Sequence, residues 1–341
     1  MSAPLVPLQI PAIAKERLRF LFMAKHALWG GSMHPDDGNH AIYHHEVRTT
    51  LESLGINLQV ANNYAVLFEK PDVDFVFPLL NRGGFVNSEM MIPLLCNMHG
   101  LPYIGGSPII RGLGDDKHLS KLVSVNAGVP TAPWFCYRKG APVREEDCPQ
   151  GERWVIKPNA SSASWGISDA FNWNAVENAI AGIHQQGHDA IVEPYLDGLD
   201  VQAAFISIDG PVALPMLIYE REDPTRLWTY YEKRDLVANT EKSSLQRFTD
   251  ADFAPKVAEM AAKIASAFEP FDYGRLEFRL NRETGDVHFI EINLNCNLWS
   301  EKVVAKSAAA AGFSHAQLLE TILADSMARQ GIIDRKDIVR G

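Results

Sequence analysis

The side chains best suited to joint chemistry lie on two short runs, 273–280 and 287–293, separated by the turn-rich stretch Asn281-Arg282-Glu283-Thr284-Gly285-Asp286. In the first run Leu276, Phe278 and Leu280 alternate with Arg275, Glu277 and Arg279, the period of a half-buried strand. A hairpin folded symmetrically about Thr284 sets Glu277 opposite Glu291 and Arg275 opposite Asn293. Two facing carboxylates repel each other. A cation between them removes the repulsion, and carboxylate and amide oxygens suit Mg²⁺. The alternative is a solvated strand face on which Arg275 and Arg279 neutralise Glu277, and the hairpin alone does not separate the two.

A second set of candidates is basic. Trp154-Val155-Ile156-Lys157 reads as a strand with a lysine at its end, and Pro158 turns the chain into Asn159-Ala160-Ser161-Ser162-Ala163-Ser164-Trp165-Gly166. A small, hydroxyl-rich loop ending in glycine can bring backbone N–H groups to phosphate oxygens. It lacks the spacing of a P-loop lysine motif, so a plain hairpin loop beside a snorkelling lysine stands as the other reading. Upstream, Gly114-Asp115-Asp116-Lys117 opens a helix with Leu119, Leu122, Val123 and Val125 as its apolar stripe, stopped by Gly128 and Pro130.

The elements that must carry these groups follow from pattern. Arg19-Phe20-Leu21-Phe22-Met23 reads as a buried strand and 57–60 and 73–79 as further strands, with helices over about 40–54 and 88–99, the latter stopped by Gly100, and a short strand and turn over 101–106. Strands alternating with helices predict an open parallel α/β domain, whose site candidates are the loops 29–40 and 80–87. Further on, 190–196 and 201–208 are strands that turn at Asp197-Gly198 and Asp209-Gly210. The stretch 227–242 gathers Tyr230, Tyr231, Lys233 and Arg234 without a clean period, as an ordered loop over a site does. An amphipathic helix covers 255–268, and Ser314-His315-Ala316-Gln317 is a capping box before a final helix.

The bulk numbers narrow the class. The 341 residues exceed one ordinary core and predict two or three domains. The net charge of −10, from 42 acids against 32 bases, argues against a nucleic-acid partner. The four cysteines show no C-x-x-C pair and read as free thiols of a reducing compartment. No run approaches the ~20 apolar residues that span a bilayer, and no signal-peptide pattern opens the chain. A cytoplasmic protein with no membrane partner is the expectation.

The order of these pieces resembles the ATP-grasp superfamily, and within it the D-alanine–D-alanine ligases, over nearly the whole chain. The resemblance rests on Asp116-Lys117 before a helix, 127–133 (Ala-Gly-Val-Pro-Thr-Ala-Pro), Val155-Ile156-Lys157-Pro158 with its serine loop, 192–200, Gly274-Arg275-Leu276-Glu277, Glu291-Ile292-Asn293 and 308–312. It implies an α+β ATP-grasp fold of three domains. An N-terminal α/β domain (1–112) precedes a central lobe (113–198) and a C-terminal lobe carrying the metal site (199–341), with ATP between the lobes. By matching positions it implies that Lys117, Lys157, Ser161 and Ser162 meet the phosphates. Glu193, Tyr195 and Leu196 lie at the adenine and Asp200 at the ribose. Glu277, Glu291 and Asn293 hold Mg²⁺, with Mn²⁺ as a substitute, Arg275 steadies the reacting carbonyl, and Lys233 closes over the γ-phosphate. A homodimer is implied as well.

The amino-acid side departs from that family. Asp36 or Asp37 only loosely takes the place of the acid on the substrate amine, Leu80-Asn81 and Phe85 replace other substrate-side residues, and Ala163 stands where a serine is usual. Cys296-Asn297 replaces a proline-glycine, and Glu301-Lys302 falls where serines read the second substrate's carboxylate. Cys296 has no histidine placed for it and reads as a small neutral filler rather than a nucleophile. The expectation is an ADP-forming carboxylate–amine ligase, using small-molecule acids and amines other than two D-alanines. D-alanine–D-alanine ligation itself, or an acyl phosphate used for cyclisation or a non-amine nucleophile, is the alternative within this class. A nucleotide-binding regulator or a purely structural module is the reading outside it.

Overall fold

The computed structural model describes residues 5–80, 85–238 and 243–341. The first sheet is parallel, in the order Asn57–Ala61, Arg19–Met23, Phe75–Pro78. Its buried strands are nearly continuous apolar runs, as a sheet covered on both faces requires. Helices His40–Ser53 and Met91–His99 accompany it, the second capped by Gly100 at φ +63°, a conformation glycine adopts without strain. The short strand expected over 101–106 is reduced to a single bridge, Tyr103 to Val76.

A four-stranded sheet follows, ordered Phe135–Tyr137, Ala190–Pro194, Trp154–Pro158, Ser168–Ala170, with antiparallel pairs throughout. The helix Trp173–Gln185, capped by Asn172, closes a separate small core on it through Val176, Ile180 and Ile183. A six-stranded antiparallel sheet makes the last layer, with Leu199–Ser207 and Tyr273–Leu280 side by side at its middle and Val287–Leu294 at one edge. One face packs on the helix Ala254–Ala267. Near its other face the helix His315–Arg329, opened by the expected capping box at Ser314, carries the core on into the N-terminal domain.

The hairpin register is the one read from the sequence, Glu277 against Glu291 and Arg275 against Asn293. It is not symmetric beyond that point. Phe278 pairs with Phe289, so Ile290 is an extra residue in a β-bulge. Position 112 lies inside a helix, Pro108–Asp115, that is not among the elements expected from the sequence, ahead of the expected helix, Lys117–Asn126. The apolar stripe expected of the second helix is corrected. In that second helix Leu119, Leu122 and Val125 are exposed, and the buried face is Lys117, Ser120, Lys121 and Ser124. The burial of two lysines on one helical face marks a charged site rather than a core.

Candidate active site

A cleft of about 1360 Å³ runs between the sheets, and Lys117, Lys157, Ser161, Ser162, Glu193, Tyr195, Leu196, Asp200, Lys233, Arg275, Glu277, Glu291 and Asn293, the residues expected in the site, all line it. Its floor is the exposed face of the large sheet. Because side chains alternate along a strand, Arg275, Glu277 and Arg279 share that face with Asp200 and Gln202 of the neighbouring strand and with Glu291 and Asn293 of the hairpin. Arg275 donates to Glu277, while Asn293 donates from Nδ2 to Glu277 Oε1 at 3.2 Å and to Glu291 Oε1 at 2.9 Å. Arg279 does not neutralise Glu277; it donates to the Gly198 carbonyl at 3.2 Å. Burial, against the pull of Arg275 and with the push of Glu291, raises the Glu277 carboxyl. Burial also acts upward on Glu291, but Lys117 and Lys157 outweigh it and hold that group at about 2.

Among the described residues no group of three His, Cys, Asp or Glu is placed to hold a metal ion. The donor set is therefore two carboxylates and an amide, which turns its oxygen inward by a simple flip. Such a set fits a hard divalent cation that brings other oxygen ligands with it, as Mg²⁺ does with nucleotide phosphates. The Glu277–Glu291 repulsion is what that cation would relieve.

Around this floor the lysines converge. Lys117 donates to the Ser161 carbonyl at 2.8 Å and lies 3.7 Å from Glu291. Lys157 bonds to Glu193, and Lys121 reaches the same carboxylate at 2.8 Å and the Thr131 hydroxyl at 2.7 Å. Burial would raise Glu193, but Lys121 and then Lys157 hold it at about 2. Lys121 was missing from the sequence reading. Its signal is the four-residue spacing from Lys117, which puts both ammonium groups on one helical face. The serine loop carries Ser161 and Ser162 into the cleft, and Ala163 and Ser164 are left-handed, at φ +53° and +60°. Tyr195 stacks under the Arg153 guanidinium at 3.8 Å, Leu196 follows it along the cleft wall, and Asp200 accepts from Gln202 at 2.7 Å.

The stretch 227–238 holds a helical turn, Tyr230–Lys233, with its own capping box between Thr229 and Glu232. The rest of the expected loop, 239–242, and the glycine loop at 81–84 lie outside the described residues. Lys233 is exposed toward the cleft, and its neighbour Arg234 makes a buried ion pair with Asp37 at 2.6 Å. Asp37 also accepts from His26 at 2.7 Å and Lys25 at 3.0 Å. Burial works upward on Asp37, yet Arg234 and those two hydrogen bonds bring it well below the usual carboxylate range. Asp36 bonds only locally, through its N–H to His34. Burial pushes the Cys296 thiol up to about 11, so it is a neutral side chain beside Arg275, as expected of a filler.

The model for the family described as D-ala D-ala ligase C-terminus matches residues 123–324, well over half of the chain. An uncharacterized protein, y4sG, of Sinorhizobium fredii is 28% identical over 237 residues, covering 68% of each chain. The D-alanine–D-alanine ligase of Acetivibrio thermocellus is 24% identical over 263 residues, 74% of this chain and 67% of that one. The D-alanine–D-alanine ligase from Bacillus anthracis, solved with ATP, superposes with a TM-score of 0.72 at 17% identity over 92% of this chain and 99% of that one. No helix among the described residues is long and apolar enough to cross a membrane. The chain belongs to the D-Ala-D-Ala ligase C-terminal family and is an ATP-grasp, ADP-forming C–N ligase of the D-alanine–D-alanine ligase-like kind.

Proposed function

We propose that this chain joins a carboxylic acid to an amine through an acyl phosphate, and that its substrates are amino acids or amino-acid-like acids other than two D-alanines. The carrying observation is the order of groups along one strand face, with Arg275 toward the N-terminal domain, Glu277 and Glu291 next, and Asp200 beyond. That order suits a nucleotide whose γ-phosphate end points at Arg275.

In this reading the central and C-terminal lobes enclose ATP. Lys117, Lys157, Ser161 and Ser162 meet phosphate oxygens, Glu193, Tyr195 and Leu196 border the adenine, and Asp200 meets the ribose. Glu277, Glu291 and Asn293 hold Mg²⁺, which when bound offsets the phosphate charge that would repel an incoming carboxylate. A carboxylate oxygen attacks the γ-phosphorus, the bond to the β-phosphate oxygen breaks, and ADP leaves. The amine nitrogen then attacks the acyl carbon, and phosphate departs with the amine proton. Arg275 steadies the oxyanion of that second step by charge-assisted hydrogen bonds. Lys233, on its helical turn, screens the phosphate end from water.

The test is ADP release over a panel of acids and amines with Mg²⁺, followed by the mass of the product. Turnover that needs an acid and an amine together, and is absent with D-alanine alone, is the expected result. Efficient formation of D-alanyl-D-alanine sinks the substrate part of the reading; no turnover with any pair sinks the ligase part.

A further inference from the structure

The ligase reading gives Lys117 and Lys157 work on phosphate and leaves Lys121 without any. The Lys121 side chain is fully buried and, unlike those of Lys157 and Glu193, is not part of the cleft lining. Its ammonium stands 2.8 Å from Glu193 Oε2, donates to the Thr131 hydroxyl at 2.7 Å and lies 5.5 Å from the centre of the Trp134 ring. Thr131 is itself fixed, since its hydroxyl donates to the Phe289 carbonyl at 2.7 Å. A group held this way behind the cleft wall does not touch a ligand. What it does for the site it does through Glu193.

Glu193 serves two lysines with two oxygens: Oε1 is bonded to Lys157, and Oε2 faces Lys121. Lys121 is closed in by Thr131 and Trp134 and stays where it is. Lys157 is free to turn, because its end of the strand Trp154–Pro158 opens on the cleft. Its charge already reaches the cleft floor, where it acts after Lys117 to lower the Glu291 carboxyl. Were Lys121 absent, Glu193 would be satisfied by Lys157 alone. Drawing Lys157 onto a phosphate would then leave a carboxylate that is 4% exposed without any partner, and a buried charge stripped of its partner is strongly destabilising. With Lys121 in place the exchange strands nothing. Burial lowers the Lys121 ammonium from its ordinary value and Glu193 opposes that shift, so the fixed pair supports its own charges.

We infer that Lys121 is a positioning residue for the nucleotide: it holds the Glu193 charge in place of Lys157 and so frees Lys157 to exchange that carboxylate for a phosphate oxygen of ATP. The inference rests on the reading of Lys157 as a phosphate ligand and deepens it. Of the two lysines on Glu193, one is fixed and the other is exchangeable. The phosphate part of the nucleotide gains from this arrangement, and the nucleoside part does not.

The ratio of ATP affinity to adenosine affinity isolates this role. A distorted pocket weakens both ligands, whereas a captive Lys157 weakens only the one with phosphates. The full chain is titrated with Mg²⁺-ATP and with adenosine by calorimetry, in the absence of an acid or an amine. Lys121→Met is expected to lower the ratio about 10- to 100-fold, the loss of one charge-assisted contact to phosphate, with adenosine affinity within about twofold of wild type. Lys121→Arg is expected to keep the ratio. Removing the Glu193 charge releases Lys157 by another route, so Lys121→Met made in a Glu193→Gln background is expected to leave the ratio where Glu193→Gln alone sets it. That comparison decides the matter even where Lys121→Met alone does not fold. An unchanged ratio in Lys121→Met, or a fall of the same size in both backgrounds, overturns the inference. ATP affinity in Lys157→Met equal to that of wild type overturns the reading of Lys157 as a phosphate ligand, and this inference with it.

Discussion

Glu277 stands under opposing demands: it shares a strand face with Glu291, and it is the acceptor for Arg275. A divalent cation between the carboxylates would satisfy the first and leave the second intact. Glu277→Gln keeps an acceptor for Arg275 and removes the charge, so the fold is expected to survive while Mg²⁺-dependent ADP release drops by about 10²-fold or more. A Mg²⁺ titration of turnover beside a thermal melt checks this; unchanged activity would reject the metal assignment. Glu193 gives a second expectation. Its carboxyl lies at about 2 in the fold against an ordinary value of 4.5. A lowered carboxyl contributes stability that is present above the ordinary value and is lost as pH falls through the folded one. Urea unfolding of the nucleotide-free protein is therefore expected to weaken from pH 5 toward pH 2. Glu291 and Asp37 act in the same sense and the raised Glu277 in the opposite one, so Glu193→Gln is expected to make the slope shallower without abolishing it. At this scale the sequence was informative where a period of two forces residues onto one face, as for Arg275, Glu277 and Glu291. It was silent on the three partners of Asp37, because ion pairs between residues far apart in the chain leave no local pattern, and Lys121 left only its four-residue spacing from Lys117.

The helix Lys117–Asn126 shows how an element can be recognised and still be turned the wrong way. Its start, at the Asp116 cap, and its stop were legible. Its apolar residues suggested a core face, but the buried side carries the two lysines. Periodicity tells which residues share a face; it does not tell which face meets a ligand cleft lined with carboxylates. The segment 227–238 is the second instructive element. Arg153 of the central lobe donates to the Thr225 carbonyl at 2.9 Å just ahead of it, and Arg234 on Asp37 holds the segment itself to the N-terminal domain. If these anchors keep water from the reacting carbonyl, Arg234→Met is expected to uncouple the enzyme, raising the ratio of ADP released to amide formed several-fold. It should also expose 227–238 to limited proteolysis. Coupled turnover with unaltered proteolysis would show that the segment is held by other contacts.

Across the whole molecule, the N-terminal α/β domain and the C-terminal sheet are bound by one buried acid. Asp272 is fully buried and accepts from the Gly105 N–H at 2.5 Å, Ser326 at 2.9 Å and Arg329 at 2.8 Å. Gly105 lies in the N-terminal part of the chain, and Ser326 and Arg329 lie on the helix His315–Arg329. Asp272→Ala leaves Arg329 and a buried N–H without an acceptor and is expected to cost about 3–5 kcal/mol in denaturant unfolding. A loss under 1 kcal/mol would mean the domains are held chiefly by their apolar contacts. The fold class and the sequence of sheets were readable because alternating strands and helices, and then hairpin signals, follow local rules. The clip at Asp272 was not, since it is defined by what it touches across the molecule; the helix Pro108–Asp115 carries a local start signal in its Ser107 cap and Pro108, but its two glycines blur the helical pattern that follows.

The bulge at Ile290 has a consequence for how the site tolerates changes of length. Core positions on its strand run Phe289 then Ile292, three apart, while their partners Phe278 and Leu276 are two apart. Deleting Ile290 alone would leave Phe289, Glu291, Ile292 and Asn293 in strict alternation, still opposite Phe278, Glu277, Leu276 and Arg275. The hairpin therefore carries one dispensable position, whose side chain lines the cleft without setting the pairing. Deleting Glu291 restores the same alternation but puts Ile290 opposite Glu277 and removes a carboxylate from the site, while deleting Ile292 brings Glu291 or Asn293 to the place opposite Leu276, in the apolar layer. Length changes at this hairpin are thus filtered by site: loss of one residue spares both pairing and charge, loss of the next spares only the pairing, and loss of Ile292 spares neither.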